Sequence, residues 1–478
     1  MTLVAGVDSS TQSCKVVIVD AQTGREVRSG RASHPAGTAV NPEAWWDALL
    51  VAVADAGGLD DVAAISIGGQ QHGCVALDAD GAVIRDALLW NDTRSAAAAL
   101  DLRAEIGDEQ WAARTGSVPV ASFTVTKLRW MRDAEPANAS RVAAVALPHD
   151  WLTWRLRGYG PSGALGADLS ALTTDRSDAS GTGYWSPHTG EYDRDLLVRA
   201  LGHDAVLPRV AEPGETVGVT AAVAGTIPTG IAVAVGAGDN AAAALGLGAQ
   251  HGDVIVSIGT SGTAFASVAH HMADSTGTIA GFADASGGFL PLVATMNAAQ
   301  VVGTFASLLG VNFDEFGELA EQAESAESPV LLPFLAGERT PNLPDARASL
   351  RGLSLANTTR AGIARAAIEG MVCGLAAGVA AIADQGVSFD RVILIGGGGK
   401  LRATRSAMAR VLGLAIAVAP EAEYVARGAA LQAARIALGT DVSWPLDDVI
   451  VHTEPHDPAI LERYNRALAD YRTTGGAG

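Results

Sequence analysis

The chain has 478 residues, 48% of them hydrophobic and 18% charged, with a net charge of −19. At roughly 100–200 residues per domain, this length predicts two to four domains with ample material for packed cores. The acidic balance excludes the basic patch that a nucleic-acid or anionic-membrane partner calls for, yet leaves room for an anionic small ligand held by backbone amides.

Cys14, Cys74 and Cys373 are too few and too far apart for a disulfide framework or a metal cluster, so a reducing, cytoplasmic compartment is expected. The N-terminus lacks the basic and apolar regions of a signal peptide. The longest apolar runs are broken by Asp239 and Asn240 and fall short of the ~18 residues that span a membrane.

In chain order, VAGVD and VVIVD (4–20) read as two strands joined by the polar turn Ser9-Ser10-Thr11-Gln12, with Asp8 at the end of the first. Residues 44–56 have the spacing of an amphipathic helix. AAISIGG predicts a strand, and residues 75–90 a hairpin turning at Asp80-Gly81. IAVAVGAGD and DVIVSIG are further strands, and 357–384 predicts a long packed helix with apolar residues every fourth position from Ile363 to Val379. RVILI runs into the glycine turn 396–399. The alternation is that of an α/β protein with mixed sheets. VIVSIGTSGTAFAS (254–267) repeats the opening layout half a chain later, which predicts two domains of similar build.

Turns of Gly, Ser and Thr suit phosphate, because small side chains let several backbone N–H groups converge. DSSTQSCK (8–15), GTSGT (259–263) and GGGGK (396–400) each follow an apolar strand. GGGGK lacks the spacing of a P-loop. Gly236, Gly238 and Ala241 fit a dinucleotide fingerprint, but no acid ends the following strand, so an NAD enzyme is only a runner-up. The favoured arrangement is a pair of hairpin turns, one per domain, holding a triphosphate, with Asp8 near a magnesium ion and contacting it through water. Lys15 reads as a surface charge or a phosphate contact.

Gln70, Gln71 and His72 end one strand, and Trp90, Asn91, Asp92 and Arg94 end another, where ligands bind in α/β sheets. Asp239 and Asn240 stand between a buried strand and an apolar helix start. There Asp239 serves either as a helix cap or as the base that takes a proton from an attacking hydroxyl. Glu338 and Arg339 sit in a Pro-broken loop, either solvated or paired with each other.

Together GVDSSTQSCK, GGQQHG, LLWNDTR, KLRW, HDWLTWRLRG, SDASGT, GAGDN, SIGTSGT, FLAGERTP, GLSLANTTRAGIARAAIEG and GGGGK resemble, in order and spacing, the FGGY family of carbohydrate kinases. The resemblance implies two actin-like, ribonuclease-H-like domains with a cleft between them: 1–245 binding sugar and 246–478 binding ATP. It implies ATP- and Mg²⁺-dependent phosphorylation of a ketopentose, with D-xylulose ahead of D-ribulose, L-ribulose or a glycerol-like polyol. A non-kinase actin-like ATPase is the other alternative. By the same resemblance Asp239 is the catalytic base and Asp8 the acid near Mg-ATP. Gln71, His72, Trp90, Asp239 and Asn240 contact the sugar, and Thr11, Gln12, Gly259, Thr260, Gly397, Gly398 and Lys400 the nucleotide. A homodimer is also implied. Three stretches depart from the family pattern: Gln71 where Met is usual, Thr404-Arg405-Ser406 where Trp-Arg-Gln is common, and Ser9-Ser10 in the first turn.

Overall fold

The computed structural model describes residues 1–223, 225–446 and 448–473. They form two compact units. The first comprises Met1–Gly248, Ala269–Leu290 and Glu421–Pro445, and the second Ala249–Val268, Pro291–Pro420 and Leu446–Gly478. The division expected at 245–246 therefore marks only the first crossing. Residues 269–290 and 421–445 return to the first unit, because what they pack against lies there.

In the first unit the strand Leu3–Ser9 is buried along its whole length. It pairs antiparallel with Ser13–Asp20 and parallel with Val62–Gly69. Across the sheet the order is Thr216–Val219, Ala232–Ala234, Val62–Gly69, Leu3–Ser9, Ser13–Asp20, Glu26–Ser33, with Ala237–Gly238 continuing beside Val62–Gly69. The run IAVAVGAG is thus two short strands rather than one, broken at Gly236, whose φ of 88° favours glycine. The hairpin expected at 75–90 forms its turn, with Asp78 N–H donating to Ala82 O. Its second arm makes only isolated bridges to the first, Val83 with Leu77 and Leu88 with Cys74, while Ala87–Leu88 also pairs with Ala39–Val40.

Both faces of this sheet are covered. Helix Pro42–Asp55 starts on the Asn41 side chain, which accepts the Glu43 N–H, with Pro42 at its first position. It buries Trp45, Leu49, Ala52 and Val53. The other face takes helix Tyr424–Leu438, whose Ala426, Ala430, Ala433 and Ala434 pack with Val4, Val17, Val19 and Ala64. The approach is close because small residues line it. A Cβ on Gly6 would lie 1.9 Å from Ala426 O, and one on Gly428 1.8 Å from Ala242 O in helix Asp239–Gly246.

The second unit repeats the hairpin. Asp253–Ile258 pairs antiparallel with Gly262–Phe265 and parallel with Arg391–Ile395, which matches the pairing of Leu3–Ser9 and explains the sequence echo. Phe289–Thr295 extends the sheet on one side, and Ala415–Val418 and Ile450–His452 on the other. Helix Arg360–Ala383, capped by the Thr359 side chain, carries the predicted apolar stripe. Among the described residues it is the one helix long and apolar enough to cross a membrane, and 72% of its most apolar window is buried inside the fold.

Candidate active site

Asp8 stands opposite Lys15 across the first hairpin. Lys15 Nζ lies 3.3 Å from Asp8 Oδ2 and 2.6 Å from Glu423 Oε2, so this lysine is an ion-pair partner rather than a free surface charge. Ser10 Oγ also donates to Asp8 Oδ2. The other oxygen, Oδ1, is buried without a hydrogen-bond partner. Burial holds the Asp8 carboxyl above its usual range, against the pull of Lys15. Thr11 and Gln12 occupy the turn, and Thr11 Oγ1 accepts from Trp90 Nε1 at 2.9 Å, tethering an indole that stays 39% exposed.

Asp239 is the first residue of helix Asp239–Gly246, with Gly238 as its cap. An acid there leaves no welcome for a dinucleotide pyrophosphate, which removes the basis for the NAD reading. Asp239 Oδ1 accepts both the Asn240 N–H and Asn240 Nδ2 at 2.8 Å. Oδ2 has no hydrogen-bond partner among the described residues. Burial, helped by the charge of Asp8, raises this carboxyl to about 7. Asn240 Nδ2 also reaches Gln71 Oε1 at 3.3 Å, and Gln71 Nε2 donates to Ser177 O. Gln70, next to it, is fully buried and its amide atoms find no partner.

His72 has a φ of 68°, uncommon for a side-chain-bearing residue. Its carbonyl accepts from Lys127 Nζ at 2.7 Å and Thr124 Oγ1 at 3.2 Å, and its Nδ1 faces Gly181 O at 2.6 Å. The imidazole packs against Phe123 and Phe282, with ring centroids 4.9 and 5.6 Å away. Lys127, wholly buried, also donates to Ser122 O, and burial pulls its ammonium down to about 7.

Beneath these residues lies a charged cluster to which sequence reasoning assigned no role. His149 Nδ1 is 2.5 Å from Asp178 Oδ2 and 3.3 Å from Asp150 Oδ1, all three buried. Asp175 caps the helix Arg176–Ser180 that carries Asp178. The His149 ring also fills the space beside Gly236, where a Cβ would come within 2.6 Å of Cδ2. Burial alone would strip its proton, but the charges of Asp150 and Asp178 outweigh this and lift the imidazolium to about 10. The raised imidazolium therefore favours the fold fully below its ordinary value of about 6.5, and that advantage fades as pH rises from there through about 10. His149→Leu strands buried carboxylates and is expected to cost about 3–5 kcal/mol, read as a lower urea midpoint. An unchanged midpoint would show that the cluster carries no paired charge. The only sequence signals were a His-Asp pair inside the apolar helix HDWLTW and the two acids of DRSDAS.

In the second unit the predicted nucleotide residues meet at one end of the sheet. Gly259 and Thr260 are exposed in the hairpin turn, and their carbonyls accept from Ala299 N and Ala298 N. Gly396 to Lys400 follow the neighbouring parallel strand. Gly398 presses on Ile258, where a Cβ would come within 2.2 Å, whereas Gly397 faces open space and Lys400 is exposed. Gly398 thus shapes the turn, and Gly397 leaves room above it. Glu338 and Arg339 do not pair. Glu338 turns inward, accepting from Met296 N at 2.7 Å, Arg339 N at 2.8 Å and Asn297 Nδ2 at 2.9 Å.

Models of the N-terminal and C-terminal domains of the FGGY family of carbohydrate kinases match residues 3–246 and 254–437. A xylulose kinase of Streptomyces coelicolor is 44% identical over 98% of this chain and 96% of its own length. One from Escherichia coli is 32% identical over 90% and 89%. The crystal structure of xylulose kinase from Bifidobacterium adolescentis superposes with a TM-score of 0.91 at 44% identity, covering 98% of this chain and 99% of that one. Glycerol kinase from Plasmodium falciparum, at 20% identity, 98% coverage of each chain and a TM-score of 0.86, shares the fold. Matched by the family in both halves and aligned with such relatives nearly end to end, the chain belongs to the FGGY family of carbohydrate kinases.

Proposed function

We propose that this kinase transfers the terminal phosphoryl group of ATP to D-xylulose, giving D-xylulose 5-phosphate, with Asp239 as the base. The observation that carries the mechanism is the state of Asp239. Its Oδ1 is occupied by Asn240, its Oδ2 is left for a ligand, and its carboxyl sits at about 7. A carboxylate of that basicity accepts a hydroxyl proton near neutral pH far more readily than an ordinary aspartate. Gln71, His72, Trp90 and Asn240 are assigned to the sugar. The bracing of the His72 ring by Gly181 O and of the Gln71 amide by Ser177 O supports this, since residues held in fixed rotamers can read hydroxyl geometry.

Thr11, Gln12, Gly259, Thr260, Gly397, Gly398 and Lys400 are assigned to the nucleotide. Asp8 fits magnesium held through water, because its buried Oδ1 lacks a partner and its charge is only partly met by Lys15. When bound, the metal would offset charge on the phosphate oxygens. A cytoplasmic location, supported by three buried free cysteines, and a homodimer, to be read by light scattering, belong to the same proposal.

The test is an ADP-release assay across D-xylulose, D-ribulose, L-ribulose and glycerol. D-Xylulose is expected to give a kcat/KM at least about tenfold above the others, the discrimination that one well-placed hydroxyl contact supplies. Equal ADP release without any sugar would replace this reading with that of an ATPase.

A further inference from the structure

Residues 337–340 run along the end of strand Phe289–Thr295. Thr340 Oγ1 donates to Ala294 O, and the Glu338 carboxylate accepts the Met296 N–H. That strand pairs with Gly262–Phe265, Thr295 opposite Gly262, so its end adjoins the 259–262 turn. The same sheet end carries the 396–400 turn, since Arg391–Ile395 runs parallel to Asp253–Ile258. Three turn segments of the second unit, the last of them a short 3-10 turn at Gly397–Lys400, thus gather outside the same strand ends, where α/β sheets take ligands.

Within this group Arg339 is singular. The acid beside it is spent on amide donors, and the Arg339 side chain makes no hydrogen bond or ion pair with any described residue. It is not simply waving in water: the residue is half-buried, and burial is the sole influence on its guanidinium, lowering its pKa. A guanidinium taken partly out of water without a counter-charge is costly, and it is conspicuous in a chain with 52 acidic residues. Its rigid five-donor fork matches a phosphate group.

We propose that Arg339 is a phosphate-binding residue, its guanidinium receiving the β- or γ-phosphate of the nucleotide at the 259–262 turn. Glu338 acts as its anchor, fixing the loop through amides while leaving the arginine's charge unspent. The proposal rests on the assignment of the nucleotide to this end of the second unit.

The experiment titrates ATP, ADP and adenosine into full-length Arg339→Gln, Arg339→Lys, Thr260→Val and the parent by calorimetry, with thermal melts to verify folding. Arg339→Gln is expected to weaken ATP at least tenfold while adenosine affinity holds, and Arg339→Lys to recover part of the loss. Should Arg339→Gln fail to fold, Arg339→Lys decides alone, with a loss of several-fold for ATP and none for adenosine. Parent-like ATP affinity, or an equal loss for adenosine, overturns the role of Arg339. If Thr260→Val weakens ATP while the arginine variants do not, only Arg339 is misassigned. If all variants bind ATP like the parent, the nucleotide assignment of this unit falls as well.

Discussion

Asp239→Asn is expected to lower kcat by about 100- to 10,000-fold, the range that general-base removal commands, while the KM for sugar stays within a few-fold of the parent. The substitution keeps an oxygen for the Asn240 donors and removes only the basicity. The parent's kcat/KM should rise about tenfold per pH unit below 7 and level off above, because the carboxyl titrates near 7. Stability should move the other way. A carboxyl raised from its usual ~3.9 favours the fold at acid pH, and that advantage fades as pH rises through about 7. Asp239→Asn should therefore be more stable than the parent at pH 8, with the difference shrinking from 7 to 4 and absent below. A variant that keeps more than a few per cent of kcat, or a pH profile flat through 7, would remove Asp239 from the role of base.

Gly428→Ala is expected to destabilise the protein by more than about 4 kcal/mol, at the far end of what single substitutions do. Propensity argues for the opposite, since alanine in a helix interior gains nearly 1 kcal/mol over glycine. Geometry decides. The added methyl would sit 1.8 Å from Ala242 O, a backbone atom of the helix that begins with Asp239, and neither helix can yield without leaving the sheet they share. Gly374→Ala supplies the contrast. It lies mid-helix with nothing nearer than the Tyr464 hydroxyl at 3.9 Å, so it should gain up to about 1 kcal/mol. Urea midpoints of the two variants should shift in opposite directions, and a neutral Gly428→Ala would mean that the helices do not cross so closely.

What the sequence made legible was local. Asp8, the first turn and its echo at 254–267 could be read because strand and turn chemistry repeat over a dozen residues, and the same strand pairing is found in both units. Asp239 at a helix start was legible for the same reason. The His149–Asp178 pair was not, because its partners stand 29 residues apart on two helices and each motif alone looks like any polar helix end. Glu338 and Arg339 misled by adjacency: neighbours of opposite charge suggest a pair, yet the Met296 N–H, 42 residues away, and the Asn297 side-chain amide claim the acid. The return of Tyr424–Leu438 to the first sheet was invisible, since a helix rich in alanine and glycine suits many surfaces.

That return has a consequence for how the polypeptide is made. On the ribosome, Leu3–Ser9, Ser13–Asp20 and Val62–Gly69 emerge early, but Val4, Val17, Val19 and Ala64 have no cover until the segment ending at Leu438 has left the exit tunnel. The nascent N-terminal half must wait with a greasy flank bare, a natural client for chaperones. Release before that point yields an incomplete first unit, however perfect its earlier strands.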